Sequence, residues 1–561
     1  MPKQSVNDCI MQYEQAKQIR QPHENDWRLA SAYCLQQHYG QWMTDGPSFS
    51  QGNTTAAALR RTVFDSTGMR SLPKYMAILE RLLTPAGSRY QILAASNMNL
   101  MKNYRVRQYF DLLNDTLFKW RNNPRANFRA ASNEVYASMG AYGTGPIFVG
   151  RRIPNAISRA PSLIYKACPL KDIFILVNDQ GEVYRVFRRY YLNLPGFLQA
   201  FPNVALPRTL ALEASKTGGP NLSTYCEFFQ DVCPQEDFDP EAWDERRMPF
   251  VSRNVCVTDK QYVDAVDKGY KSMPFLTPRT FTVSGDPYGF GPAVNAIASM
   301  GGASAVKKAY LQQGNLAAQP AILAADDGVI NGTVTIKPGH VNYGAIDRQG
   351  RKLMGTLEPG RWDINAELLK EEQSDVEDSF FVTLFQILQD RPEMTATEVL
   401  EHVADRASLL SPTMGRGQTE FLGPMTERDI DVLDELGVLP PMPPELVEAA
   451  GQYEVQYTSP MAKGLYAEEV SGFSRAVEFA LGITEATQDP SHLDHFNFDV
   501  AIPEMADKTA VPTRWMASPE MLEEKRQSRQ QQQDTQQAIE AAPAAAQVMN
   551  AASKAKQVQA A

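Results

Sequence analysis

Apolar positions recur at helical spacing over several long stretches of this chain and at strand spacing over one. Ile10, Tyr13, Ala16 and Ile19 predict a helix within residues 1–40. Residues 41–60 are rich in Gly, Ser, Thr and Asn and read as a loop. Phe64-Asp65-Ser66-Thr67 offers capping chemistry to a helix carried by Ala77, Leu79, Leu82 and Leu83, which breaks at Thr84-Pro85-Ala86-Gly87. A strand at Tyr90–Ala94, a helix over about 100–122 stopped by Asn123-Pro124, and a helix over Ala126–Met139 follow. From Gly140 the period changes. Gly145–Val149, Leu163–Ala167, Ile173–Val177, Val183–Tyr191, Tyr225–Val232, Phe250–Val257 and Phe275–Val283 are short β-branched or aromatic runs, so 140–284 reads as an α+β subdomain.

The stretch 285–392 organises the rest. It opens on Gly285-Asp286-Pro287-Tyr288-Gly289-Phe290-Gly291-Pro292. Gly289, Gly291 and Pro292 suit a tight turn into a helix, glycine supplying unusual φ and proline the first helical turn. A helix over Ala293–Gln313 follows, with small residues dominating Ala296–Ala305. Small side chains let helices approach closely, within the chain or between copies. Strand and turn signals fill Ala321–Gly360, where Arg348, Arg351 and Lys352 make the insert locally basic. A second helix, Ile364–Gln389, sets an apolar stripe (Leu368, Leu369, Val376, Phe380, Leu384, Leu388) against Glu367, Glu371, Glu372, Asp375, Glu377 and Asp378. Asp390-Arg391-Pro392 stops it. Beyond lie helices at Thr395–Leu409, Thr426–Leu436 and Tyr466–Leu481, an extended stretch 482–516, a helix Glu523–Gln533 and a Gln/Ala-rich tail.

At 561 residues the chain is too long for one core. The net charge of −10 disfavours static gripping of nucleic acid. It is unevenly spread: residues 101–160 hold ten Lys/Arg against three acids, and 361–410 hold twelve acids against four Lys/Arg. Solvated faces, pairing between neighbouring copies, or an acidic face lining a lumen all account for this. The acidic helix is a solvated face, a lining that repels phosphates, or paired carboxylates for acid–base work, and the last lacks a nearby His, Cys or metal constellation. His492-Leu493-Asp494-His495 with Asp499 is a thin metal candidate. The Gly-rich turn lacks the third glycine and βαβ context of a dinucleotide loop, and no hydrolase or nucleotide-binding motif is present, so no catalytic residue, cofactor or metal is assigned. Six cysteines without a CxxC pair read as reduced thiols of a cytosolic product. No run of about 18 apolar residues predicts a membrane span.

Four stretches in order resemble the head-to-tail connector, or portal, proteins of short-tailed, podovirus-type bacteriophages. They are Phe64-Asp65-Ser66-Thr67 with Leu83-Thr84-Pro85-Ala86-Gly87; Asp286–Pro292 and its helix to Gln319-Pro320; Met394–Val399 with Gly415-Arg416 and Gly423-Pro424; and Tyr457-Thr458-Ser459-Pro460-Met461-Ala462 with Asn497-Phe498-Asp499. The family's second proline is replaced by Ala86, and its aromatic near Arg89 is offset to Tyr90. The resemblance implies an α+β, mainly helical portal fold forming a ring, usually of twelve subunits, at one capsid vertex of the virion, assembled in the host cytoplasm. Double-stranded DNA passes its channel, irrespective of sequence, during packaging and ejection. Its partners would be the terminase large subunit, tail adaptor proteins, and major capsid and scaffolding proteins.

By analogy 1–284 is the N-terminal wing, 285–317 the first stem helix, 318–362 the clip and 363–389 the second stem helix. Residues 390–396 form the tunnel loop, 397–516 the C-terminal wing and 517–561 the crown. Glu367, Glu371, Glu372, Asp375, Asp378 and Arg391 would face the channel, and Arg348, Arg351 and Lys352 would dock partners. A scaffold or adaptor oligomer without DNA, and a metal-dependent hydrolase using Glu371 and Asp375, are the competing readings.

Overall fold

The computed structural model describes residues 5–39, 42, 61–86, 89–101, 103–152, 154, 160–216, 221–235, 238, 247–263, 268–319, 322–324, 346, 349–352, 354–356, 363–383, 413–448, 453–457, 472–484, 490–508, 516–517 and 521–532. The fold mixes helices and sheets and is mostly helical. The main helices are α1 (Val6–Cys34), α2 (Thr67–Leu83), α3 (Tyr104–Arg121), α4 (Phe128–Tyr142), α5 (Ile297–Ala318), α6 (Asp363–Ser379), α7 (Gly423–Glu435) and α8 (Phe498–Lys508). The strands are β1 (Gln91–Ala95), β2 (Ile147–Arg152), β3 (Ser162–Ala167), β4 (Ile173–Val177), β5 (Val183–Leu192), β6 (Cys226–Pro234), β7 (Phe250–Cys256), β8 (Gln261–Tyr262), β9 (Lys268–Tyr270), β10 (Phe275–Leu276), β11 (Ile322–Ala324), β12 (Met354–Thr356) and β13 (Tyr453–Tyr457). Two compact units result: Met1–Tyr90 with Lys119–Val438, and Gln91–Phe118 with Leu439–Ala561.

The first unit is built on an antiparallel sheet, β4-β5-β6-β7-β8, with β9 added on β7. Alternation along β4 to β7 turns Phe174, Phe187, Phe229 and Val255 to one face, where α1 lays Cys9, Tyr13 and Ala16. Tyr13 stacks on Phe229 at 4.7 Å between ring centroids. Each such ring contributes about 1.5–3 kcal/mol through burial. The opposite face carries Phe228 and Cys256, covered by Phe197 and Leu210 of two short helices, Leu194–Ala200 and Arg208–Ala214.

The edge strand β4 is closed by side chains. Arg20 of α1 donates to the carbonyls of Lys171 (2.6 Å) and Ile173 (3.1 Å), and the Tyr288 hydroxyl accepts from the Ile175 N–H (3.2 Å). Capping an edge in this way removes a template for unwanted strand addition. A smaller sheet, β10-β2-β3, packs against α4 and α7. A buried ion pair ties these elements. Arg121 donates to Asp429 at 2.9 and 2.7 Å, Tyr165 donates to the same carboxylate at 2.6 Å, and Arg121 also reaches the Tyr90 hydroxyl at 3.0 Å.

In the second unit β1 pairs antiparallel with β13, Leu93 opposite Val455. Asn114 of α3 satisfies Leu93 on its far side, accepting its N–H at 2.8 Å and donating to its carbonyl at 3.1 Å. The unit also holds the short helices Met98–Met101 and Pro444–Glu448, helical segments 472–484 and 521–532, and helix α8. The stretch 482–516, expected to be extended, therefore contains a 3-10 turn, Pro490–His495, and α8. Phe496 packs against Phe473 (5.8 Å) and Phe498 (6.1 Å), which fixes the start of α8 despite Pro503 within it. All six cysteines are buried free thiols.

Candidate functional site

Helices α5 and α6 pack directly on each other in the first unit. Gly302 of α5 faces Glu372 of α6: a Cβ there would lie 3.0 Å from Glu372 Oε1 and 3.1 Å from its Cδ. The small residues of α5 thus serve a contact within the chain. Met300, Ala303 and Ser304 are the buried positions of that helix. Met300 fits against Gly68 of α2, where a Cβ would stand 2.5 Å from Met300 Sδ, and against Cys34 at 3.6 Å.

The α6 residues sort by face. Val376 and Phe380 are buried, and Leu369 and Gln373 are half-buried. Glu367, Glu371, Asp375 and Asp378 are exposed, at i, i+4, i+8 and i+11, and so form one stripe. Among the described residues no cation stands within ion-pair distance of these four. Two expectations are corrected. Glu372 is half-buried with its carboxylate beside Gly302 and so stands apart from the exposed stripe. Leu368, assigned to the apolar stripe, is 40% exposed, since the buried face follows 369, 373, 376 and 380. Leu384 and Leu388 lie outside the described residues.

Asp65, buried ahead of α2, anchors the pair. Its Oδ2 accepts the Thr67 N–H at 2.9 Å; its Oδ1 accepts Gln373 Nε2 of α6 at 2.8 Å and Lys307 Nζ of α5 at 3.3 Å. Next to it the Phe64 N–H donates to Ser304 Oγ (3.0 Å), and Lys74 pairs with Glu377 (3.3 Å). Burial alone would raise the Asp65 pKa. The hydrogen bonds from Thr67 and Gln373, with the charge of Lys307, outweigh it and hold the carboxyl below its ordinary value. Ser66, the residue before the helix, makes no side-chain capping bond, so the capping role falls on Asp65.

The turn before α5 is seated on the end of α4. A Cβ on Gly289 would stand 2.4 Å from the Gly143 carbonyl oxygen, and one on Gly291 would stand 2.7 Å from the Gly140 oxygen. Neither glycine is among the positive-φ residues, and Gly291 has φ −91°. The reason for glycine here is close backbone approach, which corrects the expectation of unusual φ. Pro292 opens a helical turn, Pro292–Asn295. Gly289 N–H donates to Thr144 Oγ1 at 3.0 Å, and Phe290 N–H to the Phe281 carbonyl at 2.7 Å. Glu420, in a π-helical stretch Gly417–Leu422 leading into α7, holds Arg279 through three donors at 2.7–3.0 Å; Arg279 also reaches the Pro287 carbonyl at 3.3 Å.

The expected second long helix is described as α6 to Ser379, followed by a break. Phe381 has φ +58°, left-handed for a bulky side chain, and its N–H bonds the Asp378 carbonyl at 2.9 Å. Its ring stands 6.5 Å from both Tyr75 and Phe281. Residues 384–412 lie outside the described residues, and Arg391 with them. In the insert β11 pairs antiparallel with β12, and Ile346 bridges Lys352. Arg351 and Lys352 are exposed. Arg348 lies outside the described residues. Among the described residues no group of three or more His, Cys, Asp or Glu is arranged to hold a metal ion. No helix among them is long and apolar enough to cross a membrane.

The family of bacteriophage head-to-tail connecting proteins matches residues 6–516. The chain belongs to this family. A probable portal protein of Bordetella phage BPP-1 is 23% identical over 495 residues, covering 87% of this chain and 85% of that protein. The portal protein of Salmonella phage epsilon15 is 22% identical over 430 residues, covering 75% of this chain and 74% of its own length. For this connector the sequence missed Asp65 as the link between three helices and the Arg121–Asp429 and Arg279–Glu420 pairs. Partners 141 to 308 positions apart leave no local signal; only the capping pattern at Asp65 pointed to its neighbourhood.

Proposed function

We propose that this connector is a portal protein whose copies form a ring, most simply of twelve, at one capsid vertex, and that double-stranded DNA passes through its channel during packaging and ejection. The observation carrying this reading is the stripe Glu367, Glu371, Asp375 and Asp378: four exposed carboxylates with no cation partner among the described residues, on a helix held rigidly to α5 and α2. A carboxylate wall repels phosphate, so DNA slides without sticking. On this reading Arg391 supplies a single phosphate contact from the loop after α6. The insert with Arg348, Arg351 and Lys352 docks the terminase large subunit and later tail adaptors, with capsid and scaffolding proteins at the wing. The protein acts as a structural part of the virion.

Electron microscopy of the purified full-length protein tests the ring. Hollow particles with a central opening are expected; a monodisperse monomer at micromolar concentration would overturn it. Charge reversal at Arg348, Arg351 and Lys352 should leave rings intact and weaken docking of the packaging motor. Normal packaging and tail attachment by that variant would rule out the docking assignment.

A further inference from the structure

Arg428 of α7 is only 2% exposed, yet most of its hydrogen-bonding capacity is unspent. Its Nε donates to the Val149 carbonyl at a long 3.3 Å, its guanidinium lies 5.0 Å from the centre of the Tyr270 ring, and its buried Nη1 has no partner. Asp429, next along the helix, is taken by Arg121 and Tyr165. Burial pushes the Arg428 guanidinium below its ordinary pKa, against the pull of Glu435, Asp431, Tyr270 and Asp429. A buried guanidinium without a counter-charge in contact is costly, and a chain that keeps one has a use for it.

Two more cations converge on the same corner of the first unit. Arg188 of β5 stands opposite Gln230 of β6, on the sheet face marked by Phe228, and is half-buried. Gln230 Nε2 donates to Ser252 Oγ of β7 at 2.9 Å. Tyr270 of β9, opposite Phe250, meets both: burial raises its hydroxyl pKa, while Arg428, hydrogen bonds with Gln230 and Ser252, and Arg188 oppose this. Lys166 of β3 lies close enough to Arg188 that this charge, and then burial, hold its ammonium below the ordinary lysine value. Asp172 at the head of β4 stands 3.9 Å from Arg189. Among the described residues no carboxylate lies within ion-pair distance of Arg428, Arg188 or Lys166. We infer that these three side chains form a site for a small, multiply charged oxyanion of the phosphate class, with Tyr270, Gln230 and Ser252 as its polar wall. Three cations call for more than one negative charge, and the arginine fork fits phosphate geometry. The depth of Arg428 favours a free anion over a phosphate of a DNA backbone. A bound anion joins β3 and α7 to the main sheet.

Titration calorimetry of the full-length protein with inorganic phosphate, at ionic strength held by sodium chloride, tests it. Saturable binding near one phosphate per chain is expected. Arg188→Gln and Lys166→Gln should each weaken it about tenfold, as the loss of one charge-assisted hydrogen bond does. Arg188→Lys keeps the charge without the fork and should lose less. Arg428→Met should abolish binding; if that core variant does not fold, the half-buried Arg188 and exposed Lys166 variants decide the matter. A short DNA duplex at equal phosphate concentration should not compete. No saturable binding, binding retained by Arg428→Met, binding unchanged in the Arg188→Gln/Lys166→Gln double variant, or competition by the duplex would overturn the proposal, whether or not rings form.

Discussion

Replacing Asp65 by alanine removes one carboxylate that serves three helices, so its cost should appear in α5 and α6 as well as at the start of α2. The lost bond to the Thr67 N–H is worth about 1 kcal/mol, as for other N-terminal caps. Leaving the half-buried Gln373 amide without its acceptor costs about 1 kcal/mol more. Lys307 is 31% exposed, and its pairing with Asp65 is discounted to about 0.5 kcal/mol. The sum, about 2–3 kcal/mol, corresponds to a fall of roughly a hundredfold in protection against local opening, at 1.4 kcal/mol per decade. Amide hydrogen exchange read by mass spectrometry over 297–318 and 363–379 measures it directly. Asp65→Asn keeps an acceptor for Thr67 and should lose about half as much.

The pH dependence has a fixed sign. The folded pKa of Asp65 is depressed, so its stabilisation is fully present above the ordinary aspartate range and is lost as pH falls through the lower folded value. The gap between wild type and Asp65→Asn should therefore close in acid. If exchange in α5 and α6 is unchanged in Asp65→Ala, the carboxylate is a local cap and the anchoring argument fails.

Gly289→Ala should destabilise the first unit by about 1–3 kcal/mol, because the new methyl meets the Gly143 backbone and not a side chain that can swing away; thermal unfolding at wild-type midpoint would contradict this. Arg121→Met leaves Asp429 buried with the Tyr165 hydroxyl but without its ion-pair partner and should cost about 3–5 kcal/mol, read from urea unfolding followed by tryptophan fluorescence. Converting Glu367, Glu371, Asp375 and Asp378 to their amides should leave stability unchanged or raise it by about 0.2–0.5 kcal/mol per like-charge pair. The same variant should form normal particles yet retain double-stranded DNA in a low-salt binding assay where the wild type does not. Equal retention by both would refute the phosphate-repelling wall.

The elements whose signal is local were legible in the sequence. The helix, strand-bearing insert and helix of the central stretch, the change of period near Gly140 and the strands through Phe250 all follow from residue spacing. What was misread depended on distant neighbours. Gly289 looks like a φ requirement until the backbone at Gly143 is seen beside it. Leu368 fits an apolar stripe, but the stripe is set by where α5 and α2 lie, one residue round the helix. The stretch 482–516 reads as extended because the rings of Phe473, Phe496 and Phe498 that seat α8 give no periodic signal there. The carboxylate stripe was legible as to residue type, whereas Glu372 was not separable from it without knowing that Gly302 lay beneath.

The break at Phe381 fixes how long α6 can be. Many helices stop at a capping glycine or a proline; this one stops where an aromatic residue takes a backbone shape that glycine would adopt more easily. Returning Phe381 to helical angles would swing its ring away from Tyr75 and Phe281. Helix length and ring stacking are thus one variable, and a substitution in α2 at Tyr75, far along the chain, should alter where α6 ends.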